Sequence, residues 1–147
     1  MMKVVTIFPT LIIINELDNF KEIENDLIDF TYEERSKDNK GVSVSNIGGW
    51  HSKPHYSSYE NILSSVILQG INKTLGSSNV FKSNTKIKIL NLWVNINQKG
   101  NLNSKHLHPR SDLSGVFWIK APKNSGNLRL YSPHTYDHAA QIQYFSE

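Results

Sequence analysis

The stretch Lys86–Asn97, KIKILNLWVNIN, alternates along its second half: Leu90, Leu92, Val94 and Ile96 fall on one face, Asn91, Trp93, Asn95 and Asn97 on the other. A period of two marks a half-buried β-strand. Gly100 and its polar neighbours read as a turn, and three further short strands are expected around KHLH (105–108), GVFWIK (115–120) and NLRLY (127–131). Turn residues at Pro109–Asp112 and Pro122–Gly126 separate them. Short strands spaced by turns point to a sandwich or barrel.

Upstream the period changes. Phe20, Ile23, Leu27 and Phe30 in DNFKEIENDLIDFTYEERSKD follow helical spacing, with Asp18 or Asn19 placed to cap the start and Lys40-Gly41 to end the unit. VSVSN (42–46) reads as a short strand, followed by a turn at Gly48-Gly49. A second helix carries the apolar face Ile62, Leu63, Val66, Ile67, Ile71 and Leu75, with Ser57 and Glu60 at capping-box spacing and Gly76 as its stop. Leu11–Ile14 is β-branched and too short to span a bilayer, so a buried strand is expected. No cleavage site or transmembrane run follows it, which fits a cytoplasmic protein. Helices followed by a run of strands read as α+β, mainly β, with the helices laid on one sheet.

The 147 residues suit one domain, here divided into a supporting region (1–84) and a strand-rich core (85–147). The net charge of +3 is weak, and the cations are read as mixed with the acids, which argues against nucleic acid and for a solvated surface. Without cysteine there is no disulfide, thiolate metal site or Cys nucleophile. No GxSxG elbow or phosphate loop occurs.

His106 and His108 are the sharpest chemical feature. At i and i+2 on a strand both imidazoles face the same way, a disposition that suits a divalent transition metal such as iron or zinc. The bland alternative is a pair of hydrogen-bonded surface histidines. Likewise, the Asn/Trp face of Asn91–Asn97 reads either as the lining of a cavity beside the pair or as a solvated face with one tryptophan.

The segment WVNINQKGNLNSKHLHPRSDLSGVFWIKAPKNSGNLRLYSP (93–133) resembles the core motif of a bacterial and tailed-phage family of 2OG-Fe(II) oxygenases. The matching residues are Trp93, Val94, Asn95, Gly100, Asn103, His106, His108 and Pro109. They continue as Ser114, Gly115, Val116, Phe117, Trp118, Ser125, Gly126 and Leu128. SNIGGWHS (45–52) and FPT (8–10) are similar to other stretches of that family. The resemblance implies a double-stranded β-helix, or jelly roll, with helices packed on one sheet. It also implies Fe(II) as the metal and 2-oxoglutarate as cosubstrate. His106 stands as first ligand, and His108 stands where most such oxygenases place a carboxylate. Asn95 and Asn103, beside the pair, are candidate polar contacts to the cosubstrate.

The sequence departs from that family pattern at its end, where neither the distal His nor the following 2-oxoglutarate-binding Arg has a counterpart before Glu147. A shortened jelly roll with an open edge is expected either to self-associate or to be only marginally stable. His134 and His138 read as a polar loop, His51 and His55 as part of a structural loop at the Gly-Gly-Trp turn, and Asp112 as a turn cap. Three functions stay in view: an oxygenase acting on an unidentified substrate, a non-catalytic jelly-roll relative acting by binding, and a cupin-like metal protein with another activity.

Overall fold

The computed structural model describes residues 10–56, 61–77 and 85–132. Residues Asn15–Lys123 form one compact unit, while Met1–Ile14 and Asn124–Glu147 group as a second. Within the larger unit the order is α1 (Phe20–Lys37), β1 (Asn46–Ile47), β2 (Trp50–His51), β3 (His55–Tyr56), α2 (Ile62–Ser77), β4 (Asn91–Leu92), β5 (Asn95–Ile96) and β6 (Leu102–Asn103).

Helix α1 follows the predicted spacing. Leu27, Thr31 and Glu34 form its buried seam, and Arg35 and Lys37 lie in its last turn, where cations meet the negative end of the helix dipole. Asn19 is the N-cap residue, but its side chain makes no capping bond. In α2 the cap is reciprocal. The Ser64 amide donates to Asn61 Oδ1 at 2.8 Å, and the Asn61 amide donates to Ser64 Oγ at 3.0 Å. Asn61 thus caps α2, whose first residue is Ile62, and the expected capping residues Ser57 and Glu60 lie outside the described residues. Where α2 passes Leu17, a side chain at Gly70 would press on Leu17 Cδ2, and the Gly70 carbonyl accepts from Asn15 Nδ2 at 3.2 Å.

The strands make one broken antiparallel ribbon in three ladders: β1 pairs with β6, β2 with β5 and β3 with β4. Strands from either side of residue 84 thus pair with each other. Between the first two ladders Gly48, at φ +82°, bends the chain beside Asn101, a backbone region disfavoured for residues with a Cβ. Between the second and third, Ser52–Pro54 oppose only Trp93 and Val94, a bulge. Ser52 holds it together: its amide donates to the Val94 carbonyl at 2.9 Å, and its hydroxyl accepts from the Val94 amide at 3.0 Å.

Leu27, Trp50, Leu63, Val66 and Val94 form the buried core, with Phe20, Ile23, Leu92, Ile96, Phe117 and Ile119 packed around it. Glu34 ties α1 to the ribbon through His55 Nε2 at 3.1 Å, and the Trp50 indole donates to the Asp38 carbonyl at 2.9 Å.

Several expected strands are not formed. Leu11–Ile14 pairs with no strand among the described residues and is exposed, Ile14 at 89%. The segments around His106–His108, 115–120 and 127–131 pair with no other strand among the described residues. Alternating sequence marks which face would be buried, but a strand exists only where a neighbour accepts its backbone bonds. VSVSN begins its pairing only at Asn46. No helix among the described residues is long and apolar enough to cross a membrane.

Candidate metal centre

The alternating face of Asn91–Asn97 determines the site. Leu92, Val94 and Ile96 turn into the core, Asn91, Asn95 and Asn97 are exposed, and Trp93 is half-buried. Leu90 departs from the pattern at 50% exposure. Trp93 is neither a cavity wall of the expected kind nor a solvated side chain. It lies parallel to the buried His51 ring, centroids 5.6 Å apart at 10°, and meets the His108 ring at 5.3 Å and 81°.

His106 and His108 come together although no strand holds them: their ring centroids are 4.8 Å apart, tilted by 38°. Two imidazoles bound to one metal at right angles have centroids about 4.6 Å apart, given a metal–nitrogen bond of about 2.1 Å. The observed centroid separation is close to that value. His106 Nδ1 lies 2.7 Å from the Ser104 carbonyl. A carbonyl only accepts, so Nδ1 carries the proton and the lone pair resides on Nε2, the tautomer used by ligating histidines. His108 is held below its ordinary value of 6.5, first by burial and then by the neighbouring His106, so it stays neutral further into the acid range.

No group of three His, Asp or Glu is placed to hold a metal among the described residues. Asp112 is exposed, joins no such group and makes no capping hydrogen bond. His134 and His138 lie outside the described residues. The two candidate cosubstrate contacts differ. Asn95 is exposed, opposite His51 in the β2–β5 ladder. Asn103 is engaged, its Nδ2 donating to Ser45 Oγ at 3.3 Å and its Oδ1 accepting from Asn97 Nδ2 at 3.0 Å.

His51 and His55 are not loop residues. Each opens or closes a short strand, His51 stacked on Trp93 and His55 paired with Glu34. His51 Nδ1 donates to the Ser52 carbonyl at 2.6 Å, by the same reasoning as for His106. Sequence reading missed His51 because its partner lies in a distant segment, and its only signal was the SNIGGWHS stretch itself.

Residues 91–145 match the model of a family described as "Putative 2OG-Fe(II) oxygenase". The matched segment contains Trp93, His106 and His108. No curated protein and no solved structure matches the chain.

Proposed function

We propose that this chain, similar over residues 91–145 to 2OG-Fe(II) oxygenases, is a dioxygenase-like protein in which His106 and His108 hold the metal. One observation carries the reading: the two imidazoles lie 4.8 Å apart inside the matched segment. The same match supports a jelly-roll architecture, with the ribbon of 46–56 and 91–103 as part of one sheet. When bound, Fe(II), 2-oxoglutarate and dioxygen would supply the oxidising chemistry, one oxygen atom entering succinate as carbon dioxide leaves and the other entering the hydroxylated substrate.

The chain's own residues do the placing. The Ser104 carbonyl fixes the His106 tautomer, and Trp93 shields one side of His108 from water. Asn95 has an exposed amide to offer a carboxylate of the cosubstrate, whereas Asn103 orients the turn through Asn97 and Ser45. A second reading, a non-catalytic relative that acts by binding, is favoured by the lack of a third ligand among the described residues.

The deciding experiment is anaerobic Fe(II) calorimetry on the wild type, His106→Ala and His134→Ala, followed by a succinate-release assay. Loss of binding in His106→Ala alone supports the pair. Equal loss in both variants places the metal elsewhere. Binding without succinate release supports the non-catalytic reading.

A further inference from the structure

The net charge of +3 conceals a segregation that runs against the expectation of mixed charge. Residues 61–132 contain ten Lys or Arg and a single acid, Asp112, whereas residues 1–60 contain six Lys or Arg and ten acids. The acids of the first part are partly consumed locally: Glu34 pairs with Lys37 and His55, Asp38 with Lys53, and Asp18 with Lys73. Past Lys73 the pattern changes. Lys86, Lys88, Lys99, Arg110, Lys120 and Lys123 are exposed and form no salt bridge among the described residues.

Two of the cations adjoin the imidazole pair in sequence. Lys105 and Arg110 bracket His106 and His108 in the chain. The turn that carries Lys99 is tied at its base to the strand leading there, through the 3.0 Å bond from Asn97 Nδ2 to Asn103 Oδ1. On the same unit Trp118 is 53% exposed, and Asn91, Asn95 and Asn97 offer exposed amides.

Cations for phosphates, an open ring for a base and amides for base edges are the groups that bind single-stranded nucleic acid. An acidic peptide would use the cations and leave the ring idle. The acidic face of α1, with Glu22, Asp26, Asp29 and Glu33 exposed, would repel a nucleic-acid backbone and takes no part in the proposed binding. We propose that the cation-rich segment that carries Lys99, His106, His108 and Arg110 binds single-stranded nucleic acid. Such binding needs no metal and stands apart from the oxygenase reading.

The test is fluorescence anisotropy of a labelled oligothymidylate of about 15 nucleotides with the metal-free full chain. Affinity should fall with added salt, log K dropping by about 0.7 per phosphate contact for each decade of salt. The double variant Lys99→Glu/Arg110→Glu should bind at least tenfold more weakly, and the milder Lys99→Gln/Arg110→Gln several-fold more weakly. Trp118→Ala should lose about tenfold through lost stacking. Lys21→Glu, on the acidic helix, should stay within twofold of wild type. Four results would overturn the proposal: no binding, indifference to the Lys99 and Arg110 variants, equal binding of polyglutamate, or salt-sensitive self-association in place of oligonucleotide binding. Polyglutamate binding would identify an acidic protein partner, and the last would mean that the acidic and basic halves of two copies pair.

Discussion

The rings of Trp93 and His108 meet nearly at right angles with their centroids 5.3 Å apart, so a side chain from the ribbon braces a histidine that no strand holds. Trp93 is braced in turn by His51, which is 4% exposed and fixed by its Nδ1 bond to the Ser52 carbonyl. An aromatic pair of this kind contributes about 0.5–1.5 kcal/mol beyond burial. That is enough to favour one placement of His108 over others.

This contact makes Trp93 an optical reporter. Co(II) bound between His106 and His108 should quench part of the tryptophan emission. Trp93→Phe should abolish the quench while the emission of Trp50 and Trp118 remains. His106→Ala should also abolish it. A quench that survives Trp93→Phe would place the metal away from the pair.

His108 also predicts a pH dependence. Its value in the fold lies below the ordinary 6.5, so the unfolded chain binds more protons as pH falls through that range. Stability is then unaffected by this group at higher pH and declines as pH drops through about 6.5, until His108 protonates in the fold as well. Urea midpoints measured from about pH 7 to pH 5 should fall more steeply for the wild type than for His108→Gln. Asp38 acts in a separate window. Its carboxyl is held below 3.8, first by the hydrogen bond from Lys53, and its contribution is lost only as pH falls below that value. Parallel pH profiles for wild type and His108→Gln would show that burial of His108 does not matter to folding.

The core makes a contrast between two apolar side chains of similar size. Leu27 is 0% exposed at the centre of the cluster with Trp50, Leu63, Val66 and Val94, whereas Ile14 is 89% exposed. Leu27→Ala should cost about 2–5 kcal/mol in chemical denaturation. Ile14→Ala should change stability by less than about 0.5 kcal/mol. A large effect at Ile14 would restore the buried strand expected there.

Helical spacing was legible in the sequence, whereas strand pairing, which depends on distant partners, was not. The spacing of Phe20, Ile23, Leu27 and Phe30 gives α1, because a helix closes its bonds within four residues. The alternation of Leu92, Val94 and Ile96 gives their inward face, whereas His106 and His108 lie close together without the strand on which the i,i+2 argument rested. The same alternation around 115–120 places Phe117 and Ile119 against the core and leaves Val116 and Trp118 outside, yet no ladder forms there among the described residues. Pattern fixes a face but not a partner. The roles of His51 and His55 depend on Trp93 and Glu34, residues that sequence proximity does not connect to them.

Ser52 joins the fold to the site. It is 3% exposed, its hydroxyl accepts from the Val94 amide at 3.0 Å and donates to the Lys53 carbonyl at 2.8 Å. At a bulge the regular ladder leaves one amide without its carbonyl, and here a side-chain oxygen takes that place. Ser52→Ala removes the acceptor and leaves the Val94 N–H buried and unpaired, at a cost of about 1–3 kcal/mol. Val94 adjoins Trp93 and Ser52 adjoins His51, so relaxation of the bulge should also shift the His51–Trp93 stack. The variant should therefore show two changes together: a lower denaturation midpoint and a weaker Co(II) quench of Trp93. A midpoint loss with an unchanged quench would mean that the bulge supports the core alone and that His108 is held by other contacts.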